Sequence, residues 1–261
     1  MSEAVLLKLR EGAVLDLRLN RPQSKNSLDE ALVSELADAL EAASADTSLR
    51  VLVVSGAGGS FCSGVDLRSA AQDIDSADRL QKRLDGFHRL IRAIDAAPQP
   101  VLASIDGPAV GFGADLALAC DLRVASTRAY FEEKFVAIGL MPDGGGTFHL
   151  PRLIGLGRAL EHQLLGTRFT AEQALTIGLV ARVVAPEALD AEVQRVVGQL
   201  LESAPLALRA IKRALRDGMN GTLDQALDRE RAGQLNLLAS ADAREGVNAF
   251  LARRKPVFSG T

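Results

Sequence analysis

Two stretches of this sequence, Val51-Leu52-Val53-Val54 and Val101-Leu102-Ala103-Ser104-Ile105, are apolar with almost no alternation, and each runs straight into a glycine-rich turn. A strand with one wet face alternates apolar and polar side chains, so an unbroken apolar run predicts a strand covered on both faces. Covering both faces takes helices. The spacing supplies one over Ala77 to Ala96, stopped by Pro98 and Pro100, and another over Ala114 to Cys120. Leu122-Arg123-Val124-Ala125 reads as a further strand. Strands alternating with helices predict an α/β core with crossover connections.

The N-terminal part reads as a β-hairpin, Val5 to Leu9 and Ala13 to Leu19 around Glu11-Gly12. Asn26 or Ser27 is then placed to cap a helix whose apolar face is Leu28, Ala31, Leu32, Leu36, Ala39 and Leu40. The turn after the second core strand reads as loop from Asp106 to Gly113. From about Pro186 the pattern is helical, with short stripes such as Leu208-Ile211-Leu215 and Val247-Phe250-Leu251. These predict a helical region that buries its apolar faces on the core or on a neighbouring subunit. The division expected is a core over residues 1–195 and a helical region over 196–261.

Both glycine turns can carry chemistry. They are Gly56-Ala57-Gly58-Gly59-Ser60-Phe61-Cys62-Ser63-Gly64-Val65-Asp66-Leu67 and Asp106-Gly107-Pro108-Ala109-Val110-Gly111-Phe112-Gly113. Glycine lets a ligand approach the main chain, and a helix that starts after such a turn presents free N–H groups. Two turns of this kind that converge would aim two amides at one oxygen, each worth about 3–4 kcal/mol toward a developing negative charge. Punctuation between strand and helix explains both turns equally well, so the residues alone leave both readings open.

Other chemistries are excluded more sharply. Phe61 and Leu116 stand where a dinucleotide fingerprint needs its third glycine, and neither a Gly-Lys-Ser/Thr loop nor a Gly-x-Ser-x-Gly elbow occurs. His88, His149 and His162 lack metal-ligand spacing, so no metal is expected. A net charge of −3 with no basic stripe argues against nucleic acid. Glu3, Lys8 and Arg10 break up the N-terminal apolar stretch, so no signal peptide is expected, and no run is long enough for a membrane span. Two unpaired-looking cysteines, Cys62 and Cys120, fit a reduced, cytoplasmic setting. Two acids remain as candidates for chemistry. Asp115 begins the helix after the second turn, where capping is its ordinary use. Asp143 lies in Met141-Pro142-Asp143-Gly144-Gly145-Gly146-Thr147, a loop that reads as too glycine-rich to pack tightly, and where an aspartate is ordinarily a turn former.

Several segments, in order and over most of the chain, resemble the enoyl-CoA hydratase/isomerase (crotonase) family. They are Asn20-Arg21-Pro22, Phe61 to Leu67, Gly111 to Asp121, Ile138 to Thr147 and Leu150 to Gly155, with Gly166 to Val184 following. The resemblance implies a crotonase-like (ClpP/crotonase) spiral of ββα units and a C-terminal helical trimerisation region, in a homotrimer or homohexamer. It implies an acyl-CoA substrate, with no cofactor beyond the coenzyme A that the substrate carries. The amides of Val65 and Phe112 would form the oxyanion hole. The loop Ser63, Gly64, Val65 and Asp66 would meet the adenine end of coenzyme A, Lys25 a phosphate, and Leu67, Phe112 and Phe135 would also belong to the substrate-binding set. Phe112 stands where the family usually has glycine, which places a large side chain beside the acyl chain.

Of the two glutamates typical of hydratases, the first position matches Asp115 and the second matches Phe135, which cannot transfer a proton. Asp143 instead falls where isomerases of the family, the phenylacetate-pathway group among them, carry their acid. Double-bond isomerisation with Asp143 as base is the expectation. The alternatives are hydration of a trans-2-enoyl-CoA by Asp115 and Asp143, as in fatty-acid β-oxidation, and a homologue that binds coenzyme A without chemistry.

Overall fold

The computed structural model describes residues 4–261. Met1 to Glu3, part of the expected core, lie outside the described residues. The hairpin is present as β1 (Leu6–Glu11) and β2 (Val14–Leu19). Helix α1 (Glu30–Ala45) follows, and its cap corrects the expectation. Asp29, not Asn26 or Ser27, accepts the Leu32 N–H at 2.9 Å. Asn26 is wholly buried with a left-handed backbone, because its side chain is used elsewhere.

The two apolar runs form β3 (Val51–Gly56) and β4 (Val101–Ile105), paired in parallel. Between them lie the one-turn α2 (Leu67–Ala70) and the long α3 (Ala77–Ala96), whose bounds match the spacing. Ser76 caps α3, and Phe87, Leu90, Ala93 and Ile94 form its buried face. The expected loop from Asp106 to Gly113 contains a strand, β5 (Pro108–Val110), and α4 (Phe112–Ala119) begins two residues earlier than its pattern indicates. Proline hid the strand, since it lacks an amide donor and is admitted only at a strand's start or edge.

The chain continues through β6 (Leu122–Ser126), β7 (Tyr130–Glu132), a 3-10 turn over Lys134–Ile138, α5 (Gly146–Ile154) and α6 (Leu156–Leu165). Then come β8 (Arg168–Thr170), α7 (Ala171–Thr176) and β9 (Arg182–Val184). One six-stranded sheet has the order β1-β2-β3-β4-β6-β9, and a three-stranded sheet has the order β5-β7-β8. Successive turns of chain give one strand to each sheet and then a helix, as in β4-β5-α4. The first such turn contributes only a bridge, Cys62 to Ala109, to the smaller sheet. This is an α/β spiral of ββα units.

Four helices complete the chain: α8 (Leu189–Leu201), α9 (Pro205–Gly218), α10 (Leu223–Leu238) and α11 (Ala241–Leu251). Leu189, Val193, Val196 and Val197 of α8 pack on Val51, Val53, Leu102 and Val124, which is why these strands are apolar on both faces. Residue 195, the expected end of the core, falls inside this helix. Helices α9 to α11 bury little apolar surface. Ile211, Leu215, Leu223, Leu251 and Phe250 are exposed, Phe250 to 83%. Both cysteines are free and buried. Among the described residues no helix is long and apolar enough to cross a membrane.

Candidate active site

The loop after β3 is held in place by Asn26. Its side-chain amide donates to the carbonyls of Ala57 (2.9 Å) and Ser60 (2.6 Å), and its Oδ1 accepts the Arg21 N–H at 2.8 Å. Beyond it, the Ser63 N–H donates to the Lys25 carbonyl at 3.0 Å, and the Ser63 hydroxyl to the Ser24 carbonyl at 3.0 Å. Lys25 is therefore brought beside the 63–66 segment, with its side chain exposed. Asp66 caps α2 through the Arg68 and Ser69 amides and pairs with Arg21 at 3.0 Å, which keeps its carboxyl below the usual range. Leu67 is 58% exposed.

The Gly64 carbonyl accepts the Leu28 N–H and the Asp66 N–H donates to the Leu28 carbonyl. On the second turn the Gly111 N–H donates to Glu132, while Ala114 and Asp115 donate to the Gly111 carbonyl. The amides between these pairs, Val65 and Phe112, have no acceptor among the described residues. They lie close together. Gly64 has φ +91, and a β-carbon built there would sit 2.6 Å from the Val110 carbonyl oxygen and 3.6 Å from the Phe112 nitrogen. Gly111, with φ 53 and ψ −126, turns the chain into α4 in a conformation open only to glycine, so that the helix starts at Phe112.

The Phe112 ring is wholly buried, its centroid 4.5 Å from that of Phe87 on α3, and its edge also borders the Gly144 position of the Asp143 loop. Phe135 is 7% exposed, with its ring 3.8 Å from the β-carbon position at Gly111. Ile91 of α3 reaches Gly145 in the same way, at 3.8 Å. A cavity of about 400 Å³ between α1 and α3 is lined in part by Val33, Ala37, Gly86 and Phe87.

Asp115 does not cap its helix, whose cap residue is Gly111. It is wholly buried, and its Oδ2 accepts the Gly144 N–H at 2.9 Å. That bond ties α4 to the Asp143 loop. The loop is far from loosely packed, since Gly144 and Gly146 are both buried. A β-carbon at Gly144 would meet Asp115 and the Phe112 ring at under 3.0 Å. Asp143 is partly buried, with one oxygen, Oδ1, sealed and unpartnered. Burial pushes its carboxyl up, opposed by its own backbone amide and by His88 of α3.

A third acid joins them. Glu133 is 1% exposed, its Oε2 accepts the Gln163 side-chain amide at 2.7 Å, and its Oε1 has no partner. Burial pushes it up to about 7. Asp115 is raised well above the carboxylate range, first by burial and then by the charge of Glu133, with the Gly144 and Gly146 amides opposing. Sequence reasoning missed Glu133, Gln163 and the clamp role of Asn26. A glutamate in Glu132-Glu133-Lys134 looks like one of a solvated charge run, and nothing local separates it from Glu132, which pairs with Lys134 and Arg168. Among the described residues no group of three or more His, Cys, Asp or Glu side chains is placed to hold a metal ion.

Comparison with known proteins gives concordant results. A sequence model of the Enoyl-CoA hydratase/isomerase family matches residues 10–261. The chain is 39% identical to 1,2-epoxyphenylacetyl-CoA isomerase of Escherichia coli, over all of both chains. It is 35% identical to crotonyl-CoA hydratase of Syntrophomonas wolfei, over 98% of each. Its structure is similar to that of an enoyl-CoA hydratase from Bacillus anthracis, with a TM-score of 0.95, 32% identity and coverage of 99% of this chain and 100% of the other.

Proposed function

Given that the chain belongs to the enoyl-CoA hydratase/isomerase family and has its crotonase fold, we propose that it shifts a carbon–carbon double bond in unsaturated acyl-CoA thioesters, with Asp143 as the base. It is an enzyme of the crotonase superfamily. The observation that carries the isomerase reading is the acid set. The position that matches a hydratase's second glutamate is Phe135, whereas Asp143 offers a sealed, unpartnered oxygen one residue from the amide that binds Asp115.

The thioester oxygen is taken to accept from the Val65 and Phe112 amides. Withdrawal of charge onto that oxygen acidifies the α-carbon of a 3-enoyl thioester. Asp143 removes that proton, the two amides hold the dienolate, and a proton returned at the γ-carbon leaves the conjugated 2-enoyl isomer. The proton count closes, and the chemistry draws on no group beyond the coenzyme A of the substrate. A carboxylate raised by burial suits the task, because general-base help is greatest when the base's pKa lies near the working pH. The Ser63–Asp66 segment is assigned to the adenine end and Lys25 to a phosphate. Two contacts support this: Ser63 binds the Lys25 carbonyl, and Asp66 is fixed by Arg21.

Absorbance at the enoyl-thioester band tests the reading. With 3-enoyl-CoA the conjugated band is expected to grow, and with 2-enoyl-CoA to fall only slowly. Rapid loss of the band from 2-enoyl-CoA with no gain from 3-enoyl-CoA would make the protein a hydratase. Binding of both esters without any spectral change would leave a binding protein. Either result removes the proposal.

The working assembly is assigned as a homotrimer or a pair of trimers. Support comes from the apolar side chains that α9 to α11 leave uncovered, Ile211, Leu215 and Phe250 among them. Light scattering is expected to give three or six times the 27.6 kDa chain mass, and a single-chain mass at micromolar concentration overturns it.

A further inference from the structure

Glu133 lies outside every role assigned so far, yet it is among the most thoroughly buried charged groups in the molecule. Its surroundings are unusual. A β-carbon at Gly146 would collide with Asp115 Oδ1 and sit 3.0 and 3.1 Å from the two Glu133 oxygens, so both carboxyls converge on the space that a side chain at 146 would fill. Asp115 Oδ1 and Glu133 Oε1 are each sealed from solvent; neither has a well-formed hydrogen bond, and the Gly146 amide also favours the charge on Asp115. Among the described residues neither carboxyl pairs with a Lys or Arg. Lys134 and Arg168 turn to Glu132 instead.

The other titratable groups packed around the pair are few. Asp143 lies on the adjoining loop with His88 of α3 beside it, and adds further negative charge. His149 of α5 is brought down to about 4 by burial, helped by Arg123 and Arg152, and is neutral at ordinary pH. Gln163 of α6 donates to Glu133 and stabilises its charged form. Two carboxylates in one dry space disfavour ionising together, because their repulsion adds to the desolvation of each.

We infer that Glu133 is a positioning residue that keeps Asp115 protonated across Gly146, so that Asp115 serves as the proton donor opposite Asp143. The inference rests on the isomerase reading for its catalytic part. Gln163 favours the charge on Glu133, and that charge in turn favours the proton on Asp115. In turnover Asp143 takes the α-proton and Asp115–H delivers its own to the γ-carbon. The proton on Asp143 then passes to the Asp115 carboxylate, which restores the starting state with no net gain or loss. The pair also explains the glycine at 146: a side chain there would part the two carboxyls.

Glu133→Gln, nearly the same shape without the charge, tests the inference in the full-length protein by two readouts. In the pH profile of kcat the alkaline limb is expected to move to lower pH, with about a tenfold or greater loss of kcat at pH 8 and KM changed less than about twofold. Glu133→Asp restores part of that loss. A uniform loss of kcat with the alkaline limb unmoved overturns the inference, since a purely structural role would produce that.

The second readout needs no turnover, and so separates failure of the pair from failure of the isomerase reading. Infrared spectra at pH 8 should show a buried carboxylic-acid C=O band that Asp115→Asn removes. In Glu133→Gln that band should disappear at lower pH than in the wild type. Absence of the band from the wild type at pH 8 overturns the inference, even where Glu133→Gln fails to fold.

Discussion

Asp143→Asn is expected to lower kcat for 3-enoyl-CoA isomerisation by about 10²–10⁴-fold with little change in KM, the range typical for removal of a general base. The substitution keeps the shape and one acceptor while abolishing the ability to take a proton. Asp143 Oδ1 has no partner to lose, but the new side-chain NH2 finds no acceptor in that sealed position either. Stability should change little, because relief of a carboxyl that burial disfavours in its charged form is offset by the unpaired NH2. The sign of the pH effect follows. Since burial raises Asp143, wild-type activity should fall as pH drops through a value above the ordinary carboxylate range. Single-turnover kinetics with 3-enoyl-CoA measure the chemical step directly. Isomerisation at the wild-type rate in Asp143→Asn would transfer the base to another group.

Gly64→Ala is expected to cost about 10²–10³ in kcat, the typical loss for one donor of an oxyanion hole. With φ +91 the backbone at 64 suits glycine, and the new β-carbon would stand 2.6 Å from the Val110 carbonyl, well inside van der Waals contact. That carbonyl is main chain of β5 and gives way only by moving the strand that leads into Gly111 and Phe112. The two amides should therefore separate while both remain present. Backbone strain alone is worth roughly 1–2 kcal/mol, and a control isolates it. Gly12 also has a positive φ, in the hairpin turn, but nothing lies within 4 Å of a β-carbon there. Gly12→Ala should lose stability and keep its kcat. Near-wild-type kcat in a folded Gly64→Ala variant would mean that the amides of Val65 and Phe112 do not act together on the substrate.

The parts of this protein legible in the sequence are those set by short-range rules. Val51 to Val54 is apolar at every position because helices cover both faces, and only a strand of a layered α/β sheet has that environment. The bounds of α3 follow from Ser76 ahead of it and the prolines behind it. The glycine turns and the family resemblance carried Val65, Phe112, Asp115 and Asp143 to one neighbourhood. Finer matters were misread where two local signals compete. Asn26 resembles a helix cap because its side chain accepts hydrogen bonds from amides, but here it clamps a distant loop and Asp29 takes the cap. Pro108 concealed β5.

What the sequence determined by itself was the layered α/β scaffold and the family, and it singled out the two acids proposed for the site, since each depends on periodicity, dihedral preference or motif over a few adjacent residues. Only the tertiary structure brought the burial and neighbouring charge that act on those acids. Glu132 and Glu133 are neighbours in the chain, yet one faces two cations and the other faces Asp115 in a sealed space. Desolvation and repulsion are sums over whatever packs around a group. For Glu133 those neighbours come from α4, α6 and the start of α5, up to 30 residues away along the chain.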